Sequence, residues 1–446
     1  MSSSKATHSN RTAPTSGSGS LGAIMTTDIT ALSYGGRGIG RVGGKVVFVP
    51  YTVPGDSVEV EVTGEKRGFL EGRVQRLITP SPDRAEPFCS LFGRCGGCQW
   101  QHIPYRDQVA WKERIFRESL ERIGGIKGLP LESAVAAESE RGYRTRAQFH
   151  VQSGRWGFFA ATSNDVVELD DCPLLDPLLN KSFNALRAAL SELAPALPLH
   201  TVEVGVSGFD EKAVAILHIT KEARLDLDRL MDSVPDLKGV DLRVTPLMRR
   251  GGRTVASVGD GCITYRVGGL MMRSHLSAFS QVNLGQNERL VDTVLDYADP
   301  GEGDSVVDLF SGAGNLSLPL AERCGSVTAI ERDGVAVRDG ILNSEAKEMG
   351  NVTFLRNDAA GGLMSLEIGT HDIVLLDPPR GGALSAVREI AKVNPGKIVY
   401  LSCNPSTLAR DLSFLVEHGY RMERATTIDM FPHTYHIEGI VKLNHV

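Results

Sequence analysis

No apolar stretch in this chain approaches the roughly twenty residues a membrane-spanning helix needs, so no membrane association is expected. An excess of positive charge is missing too. The 48 Lys and Arg stand against 54 Asp and Glu, a formal net charge of −6, so any nucleic-acid contact must come from local patches and not from a broad basic footprint. No secretory signal is legible, which points to the cytoplasm, where reducing conditions disfavour disulfides among the seven cysteines. Lastly, the Gly-rich turn around Gly312 has neither the G-x-G-x-x-G form nor a following Gly-Lys-Ser/Thr, which excludes the usual pyrophosphate- and triphosphate-binding loops there.

What is present begins with that turn. In Asp304-Ser-Val-Val-Asp308-Leu-Phe310-Ser-Gly312-Ala-Gly314-Asn315 a β-branched run ends in an acid and a Gly-rich bend. Gly312 and Gly314 allow a tight turn and a close approach of backbone to ligand, and Leu316 to Ala321 reads as a helix start. About twenty residues on, Val327-Thr-Ala-Ile330 ends in Glu331, the spacing at which an acid takes ribose hydroxyls in doubly wound folds. Val352-Thr-Phe-Leu355 then precedes Asn357-Asp358, and Ile373-Val-Leu-Leu376 precedes Asp377. Acid-capped strands without a phosphate loop call for a ligand carrying ribose and adenine but no phosphates, and S-adenosylmethionine fits that description.

The C-terminal part reads as an active site. Asp377-Pro-Pro-Arg380 is followed by Leu401-Ser402-Cys403-Asn404-Pro405 and by His436-Ile-Glu438-Gly439. The apolar run Ile398 to Leu401 places Cys403 where a strand gives way to a loop, the end of an open α/β sheet at which ligands bind. Cys262 and Cys324 lack any such context and read as structural. His433 and His436 read as packing or capping residues.

Cys89, Cys95 and Cys98 form C-x5-C-x2-C, and Cys172-Pro173 follows later. This is metal-ligand spacing. By spacing alone zinc and an iron-sulfur cluster are equally suited, since both accept four thiolates.

Taken together, Phe279-Ser-Gln281-Val-Asn283, the Asp308–Asn315 stretch, Asp377-Pro-Pro-Arg380, Ser402-Cys403-Asn-Pro405 and Asp429-Met-Phe-Pro-His-Thr-Tyr-His-Ile-Glu438 closely resemble the S-adenosylmethionine-dependent RNA uracil-carbon-5 methyltransferases that carry an N-terminal TRAM domain and an iron-sulfur cluster. The resemblance runs from about residue 23 to the end. It implies that Gln281, Phe310, Asn315, Glu331, Asp358 and Asp377 line the methyl-donor pocket, that Cys403 is the nucleophile and Glu438 the base, and that Cys89, Cys95, Cys98 and Cys172 hold a [4Fe-4S] cluster.

The chemistry explains why a thiol and a carboxylate belong together. Carbon 5 of uracil is a poor nucleophile until a thiolate adds to carbon 6 and makes the ring an enolate, so covalent catalysis divides one hard step into easier ones. The carbon-5 proton must then be removed, and a carboxylate with the ordinary pKa of about 4.3 is ionised at neutral pH to take it. The uracil must also be unstacked or flipped out to be reached.

The implied fold is α/β: a Rossmann-like class I methyltransferase domain over 266–446, a small TRAM or OB-like β-barrel over 23–82, a central α+β cluster-bearing domain over 83–265, and a disordered Ser/Thr/Gly-rich tail over 1–22. Alternation in Lys45-Val-Val-Phe-Val-Pro and Ser57-Val-Glu-Val-Glu-Val supports the barrel, and Tyr105 to Ile123 reads as a helix. Two basic runs, Arg141-Gly-Tyr-Arg144-Thr-Arg146 and Arg249-Arg250-Gly-Gly-Arg253, are candidate phosphate contacts. The resemblance favours 23S ribosomal RNA as the substrate of a monomeric enzyme, with a tRNA uridine as the alternative. An amino-methyltransferase also uses Asp-Pro-Pro, but with an aromatic where Arg380 stands and with no need of a cysteine. A non-catalytic RNA-binding module would need neither Cys403 nor Glu438.

Overall fold

The computed structural model describes residues 21–246, 252–366, 369 and 371–446. Most of the expected tail, 1–20, and the basic residues Arg249 and Arg250 lie outside the described residues. The chain divides into two compact units, Met1–Ala85 and Glu86–Val446.

In the first unit, the alternation of Ser57–Lys66 decides which face is inside. Val58, Val60 and Val62 are fully buried, while Glu59 and Glu61 point out and pair with Arg76 and Arg73 of the neighbouring strand Phe69–Thr79. Six strands form one sheet with the spatial order Ile24–Asp28, Ser57–Lys66, Phe69–Thr79, Lys45–Val49, Gly38–Val42, Ala31–Leu32. The sheet curls on itself, because the Thr27 hydroxyl in the first strand donates to Arg41 O and accepts from Arg41 N at 3.0 Å each. Gly40 permits that approach, since a Cβ there would lie 2.6 Å from Thr27 Oγ1.

The second unit holds two seven-stranded sheets. One runs Arg253–Gly259, Leu237–Val244, Ala213–Ile219, Leu199–Val206, Arg146–Gln152, Arg155–Phe159, Val166–Glu168. Its core includes the buried stripe Leu179, Phe183, Leu186 and Leu190 of helix Pro177–Leu193, residues spaced three and four apart as a helix face requires. The other sheet runs Val352–Arg356, Ser326–Glu331, Ser305–Leu309, Ile373–Leu376, Lys397–Ser402, Glu438–His445, Tyr420–Ile428. Its first five strands pair in parallel and the last two antiparallel. Ile373–Leu376 is apolar throughout and fully buried, as a central strand covered on both faces must be. The order reverses between Ser305–Leu309 and Ile373–Leu376, which opens a crevice at their C-terminal ends.

Two features tie the central region to this second sheet. Helix Tyr105–Arg122 packs against helix Pro405–Glu417 and strand Tyr420–Ile428; Gly439 lets Phe116 approach, because a Cβ at 439 would fall 2.2 Å from the Phe116 ring. The hairpin of Cys262–Val267 and Leu270–His275 packs as one piece into the core with Leu290 and Val291. The boundary expected at 265/266 passes through this hairpin.

Candidate active site

Strand Ser305–Leu309 ends in a turn that only particular residues can make. Gly312 and Gly314 stand at φ 56° and 90°, and between strand and glycines Phe310 itself stands at φ 63°. For a bulky aromatic the left-handed region costs of order 1–2 kcal/mol, strain of the kind retained at functional sites. Glu331 fastens the turn from the next strand: one carboxylate oxygen accepts from Gly312 N at 3.2 Å and the other from Asp333 N at 2.7 Å. Asp358 follows its own strand and caps helix Ala359–Met364, accepting from Gly361 N at 2.9 Å.

Cys403 occupies the turn between strand Lys397–Ser402 and helix Pro405–Glu417. Pro405 starts the helix and the Asn404 side chain caps it through Ser406 N at 3.1 Å. The same Asn404 donates from Nδ2 to Arg380 O at 3.0 Å, so the Cys403 turn and the Asp377-Pro-Pro-Arg380 loop hold each other. Glu438 opens the antiparallel strand beside Lys397–Ser402.

These pieces enclose one cavity of about 580 Å³, bordered by Gln281, Phe310, Glu331, Asp358, Asp377, Cys403 and Glu438, a volume ordinary for a small-molecule site. Asn315 does not border it: its amide pairs reciprocally with that of Asn287 at 2.8 and 2.9 Å. Arg380 and His436 do border it, with Arg380 Nη2 lying 3.2 Å from His436 Nε2; His436 keeps the packing role read from the sequence, its ring lying against that of Phe431 with centroids 5.5 Å apart. Phe279 also borders the cavity while 71 % exposed. The signal for Arg380, His436 and Phe279 was available, since each lies inside a motif quoted above.

Charge inside the cavity is unusual. Burial pushes Asp377 up to about 6, and burial with neighbouring Asp377 raises Glu438 well above the carboxylate range. Glu438 Oε1 is buried with no hydrogen-bond partner among the described residues. Behind the turn, Asp308 is pushed up to about 7, by burial first and then by Asp377 and Glu331. The Cys403 thiol rises to about 11, through burial and then Glu438 and Asp377, with Arg380 opposing. His436 is held neutral, down to about 3, by burial and Arg380. The expectation of an ordinary, ionised Glu438 is therefore corrected: like-charged groups have been gathered out of water, and the cavity favours a cation.

A second cavity of about 380 Å³ is bordered by Cys89, Cys95, Cys98 and Cys172. Strands Arg146–Gln152 and Arg155–Phe159 supply part of its wall, and the cysteine-bearing part is loops pinned by side chains: Cys89 N donates to Gln101 Oε1 at 3.1 Å, and Cys172 exchanges bonds of 3.1 and 3.0 Å with the Asn180 amide. None of the seven cysteines is in a disulfide. Burial pushes Cys98 up to about 12 and Cys172 to about 11, with the neighbouring thiols adding to both, so thiolates here need positive charge between them. Among the described residues no three His, Cys, Asp or Glu side chains converge closely enough to hold a single metal ion. Four cysteine thiols bordering one cavity match in ligand type and number what either zinc or an iron-sulfur cluster takes.

Comparison with known proteins gives consistent relatives. The family profile described as tRNA (Uracil-5-)-methyltransferase matches residues 130–446, and the TRAM domain profile matches 20–75. The 23S rRNA (uracil(1939)-C(5))-methyltransferase RlmD of Pseudomonas syringae pv. tomato is 36% identical over 92% of this chain and 92% of its own. That of Hahella chejuensis is 32% identical over 93% of this chain and 96% of its own. Among solved structures, the Pyrococcus abyssi tRNA (uracil-54, C5)-methyltransferase in complex with S-adenosyl-L-homocysteine superimposes with a TM-score of 0.76 at 25% identity, covering 94% of this chain and 100% of that one.

Proposed function

Because this chain belongs to the tRNA (uracil-5-)-methyltransferase family, we propose that it moves a methyl group from S-adenosylmethionine to carbon 5 of a uridine in 23S ribosomal RNA, using Cys403 as nucleophile and Glu438 as base. The observation that carries this reading is the convergence of a thiol, a buried carboxyl with one oxygen unpartnered among the described residues and the acid-capped strand ends on one cavity. The RlmD relatives support ribosomal RNA as substrate. A tRNA uridine is the second reading, favoured by the name of the Pyrococcus neighbour. The 23S ribosomal RNA reading supports the cytoplasmic location expected from the sequence.

The donor supplies a methyl on a positively charged sulfur. Glu331 and Asp358 offer carboxylate oxygens for the ribose and adenine, Phe310 and Gln281 flank them, and Asp377 faces the charge. A cation beside Asp377 and Glu438 lowers the proton affinity of both, which the cavity otherwise raises. Asn315 acts from behind, holding Asn287. Cys403, once its thiol proton has passed to solvent, adds as thiolate to carbon 6: its electron pair forms the carbon–sulfur bond and the 5,6 π pair moves to oxygen 4. Carbon 5 then takes the methyl, and S-adenosylhomocysteine remains. With the sulfonium charge gone Glu438 recovers its high proton affinity, the property a base needs; it takes the carbon-5 proton, the 5,6 double bond re-forms, and Cys403 leaves as thiolate.

The four cysteines would hold a [4Fe-4S] cluster. Its support is that all four cysteines border one cavity, and the uracil chemistry needs no electron from it. Anaerobic protein is expected to carry about four iron per chain; stoichiometric zinc would overturn this part. The test of function is transfer of label from S-adenosylmethionine to protein-free 23S ribosomal RNA and, separately, tRNA. Label in 5-methyluridine of ribosomal RNA is expected, label on tRNA alone would move the substrate, and methylated adenine or guanine would refute the mechanism.

A further inference from the structure

The segment 429–437 lies between the two cavities and touches the walls of both. On one side Phe431 and His436 border the donor cavity, and Glu438 follows directly. On the other, the segment is held by neighbours of the metal-type cysteines. Gln99 N and Trp100 N, just after Cys98, both donate to His433 O, at 3.1 and 3.0 Å. Phe88, just before Cys89, sets its ring edge against His433 with centroids 4.8 Å apart. Tyr143, beside the cavity-wall residue Arg144, donates its hydroxyl to Pro432 O at 3.1 Å.

Gln108 locks these strands of contact together. It is fully buried; its Oε1 accepts from His433 N at 2.8 Å, while its Nε2 reaches Trp100 O and Ile103 O at 3.0 and 2.8 Å. His433 stands at φ 65°, a conformation that a non-glycine residue keeps only when its surroundings fix it. Nearby, Lys112 Nζ binds Asp429 Oδ1 at 2.6 Å and Phe431 O at 3.0 Å. The segment that delivers Glu438 is thus built against the cysteine loops instead of against its own sheet alone.

We propose that Gln108 and His433 are positioning residues through which occupancy of the four-cysteine cavity sets the placement of Glu438. This rests on the role of Glu438 proposed above. When the cavity loses its occupant, the loops around Cys89 and Cys98 are free to shift, the His433 clamp loosens, and removal of the carbon-5 proton slows, whereas donor binding, fixed by Glu331 and Asp358, does not change.

Hydrogen-exchange mass spectrometry on the full-length holoprotein, before and after stripping with an iron chelator, reads this without RNA. Peptides covering 429–437 are expected to exchange at least about tenfold faster after stripping, while strand Ile373–Leu376 keeps its protection. Gln108→Ala is expected to reproduce the loosening with the cavity loaded. It should also lower turnover about ten- to a hundredfold, accumulate a denaturation-resistant protein–RNA adduct, and leave the donor Kd unaltered. Tyr143→Phe, which deletes one hydroxyl, should shift exchange in the same direction by less. Unchanged exchange at 429–437 on stripping would overturn the proposal. So would an equal loss of protection at Ile373–Leu376, which would make the cavity a staple for the whole fold. A wild-type enzyme that forms neither adduct nor 5-methyluridine would refute the uracil reading and leave the exchange result to stand separately.

Discussion

The two cavities of the second unit gather like-charged groups by opposite means. Around the donor cavity, Asp308, Asp377 and Glu438 sit on or beside strands of one sheet, placed by backbone pairing that runs through the core. Around the second cavity, the four cysteines sit on loops and turns, placed by local backbone bonds such as Cys95 N to Leu91 O and by the paired bonds between Asn180 and Cys172. In both, burial raises proton affinity and the groups invite positive charge. The difference teaches where rigidity comes from. A sheet crevice can admit and release a cation in every cycle without reshaping, whereas loops held by a few local bonds open more readily when one of those bonds is lost.

Cys403→Ala is the strongest way to break the comparison, because it removes the proposed nucleophile and leaves the carboxyls and the four cysteines in place. Methyl transfer is expected to fall to background by labelled-donor assay, with circular dichroism unchanged; retained transfer would refute covalent catalysis. A crossed pair sharpens it further. Glu331→Ala should weaken donor binding by about 1–3 kcal/mol through the lost charged acceptor and leave iron content alone, whereas Cys95→Ala should lose iron and keep donor affinity, as calorimetry and metal analysis would record. A shared loss in both variants would mean the cavities are one cooperative site.

The pH dependence is gentler. In the proposed mechanism Cys403 acts as thiolate and its thiol is held up at about 11, so turnover at saturating donor should rise with pH from neutral toward about 11. A rate falling over that range would reverse the sign. The smallest effect is local: Gly439→Ala must push back Phe116, an overpacking worth about 1–3 kcal/mol, seen as a lowered unfolding midpoint.

Legibility followed the same division. The strands of the donor sheet were readable because parallel strands are short apolar runs, and the acids that close them mark the crevice. The helix read from Tyr105 to Ile123 is the observed Tyr105–Arg122, and the Val58, Val60, Val62 alternation gave the barrel's inner face. The cysteines were readable only as a spacing, since loop geometry has no period. Asn315 was misplaced because its turn sends the side chain to Asn287, a partner remote in sequence. The acidity of Glu438 and Cys403 was out of reach for a similar reason: desolvation depends on what surrounds a group in space, and nothing in His436-Ile-Glu438-Gly439 records Asp377 beside it.

The most direct test of the account is Glu438→Gln incubated with 23S ribosomal RNA and S-adenosylmethionine, then resolved on a denaturing gel and by mass spectrometry. A covalent protein–RNA band carrying the transferred methyl, and absent when Cys403→Ala is added, is the expected result. Normal turnover with no such band would contradict the assignment of Glu438 as the base, and a band that persists without Cys403 would contradict the nucleophile.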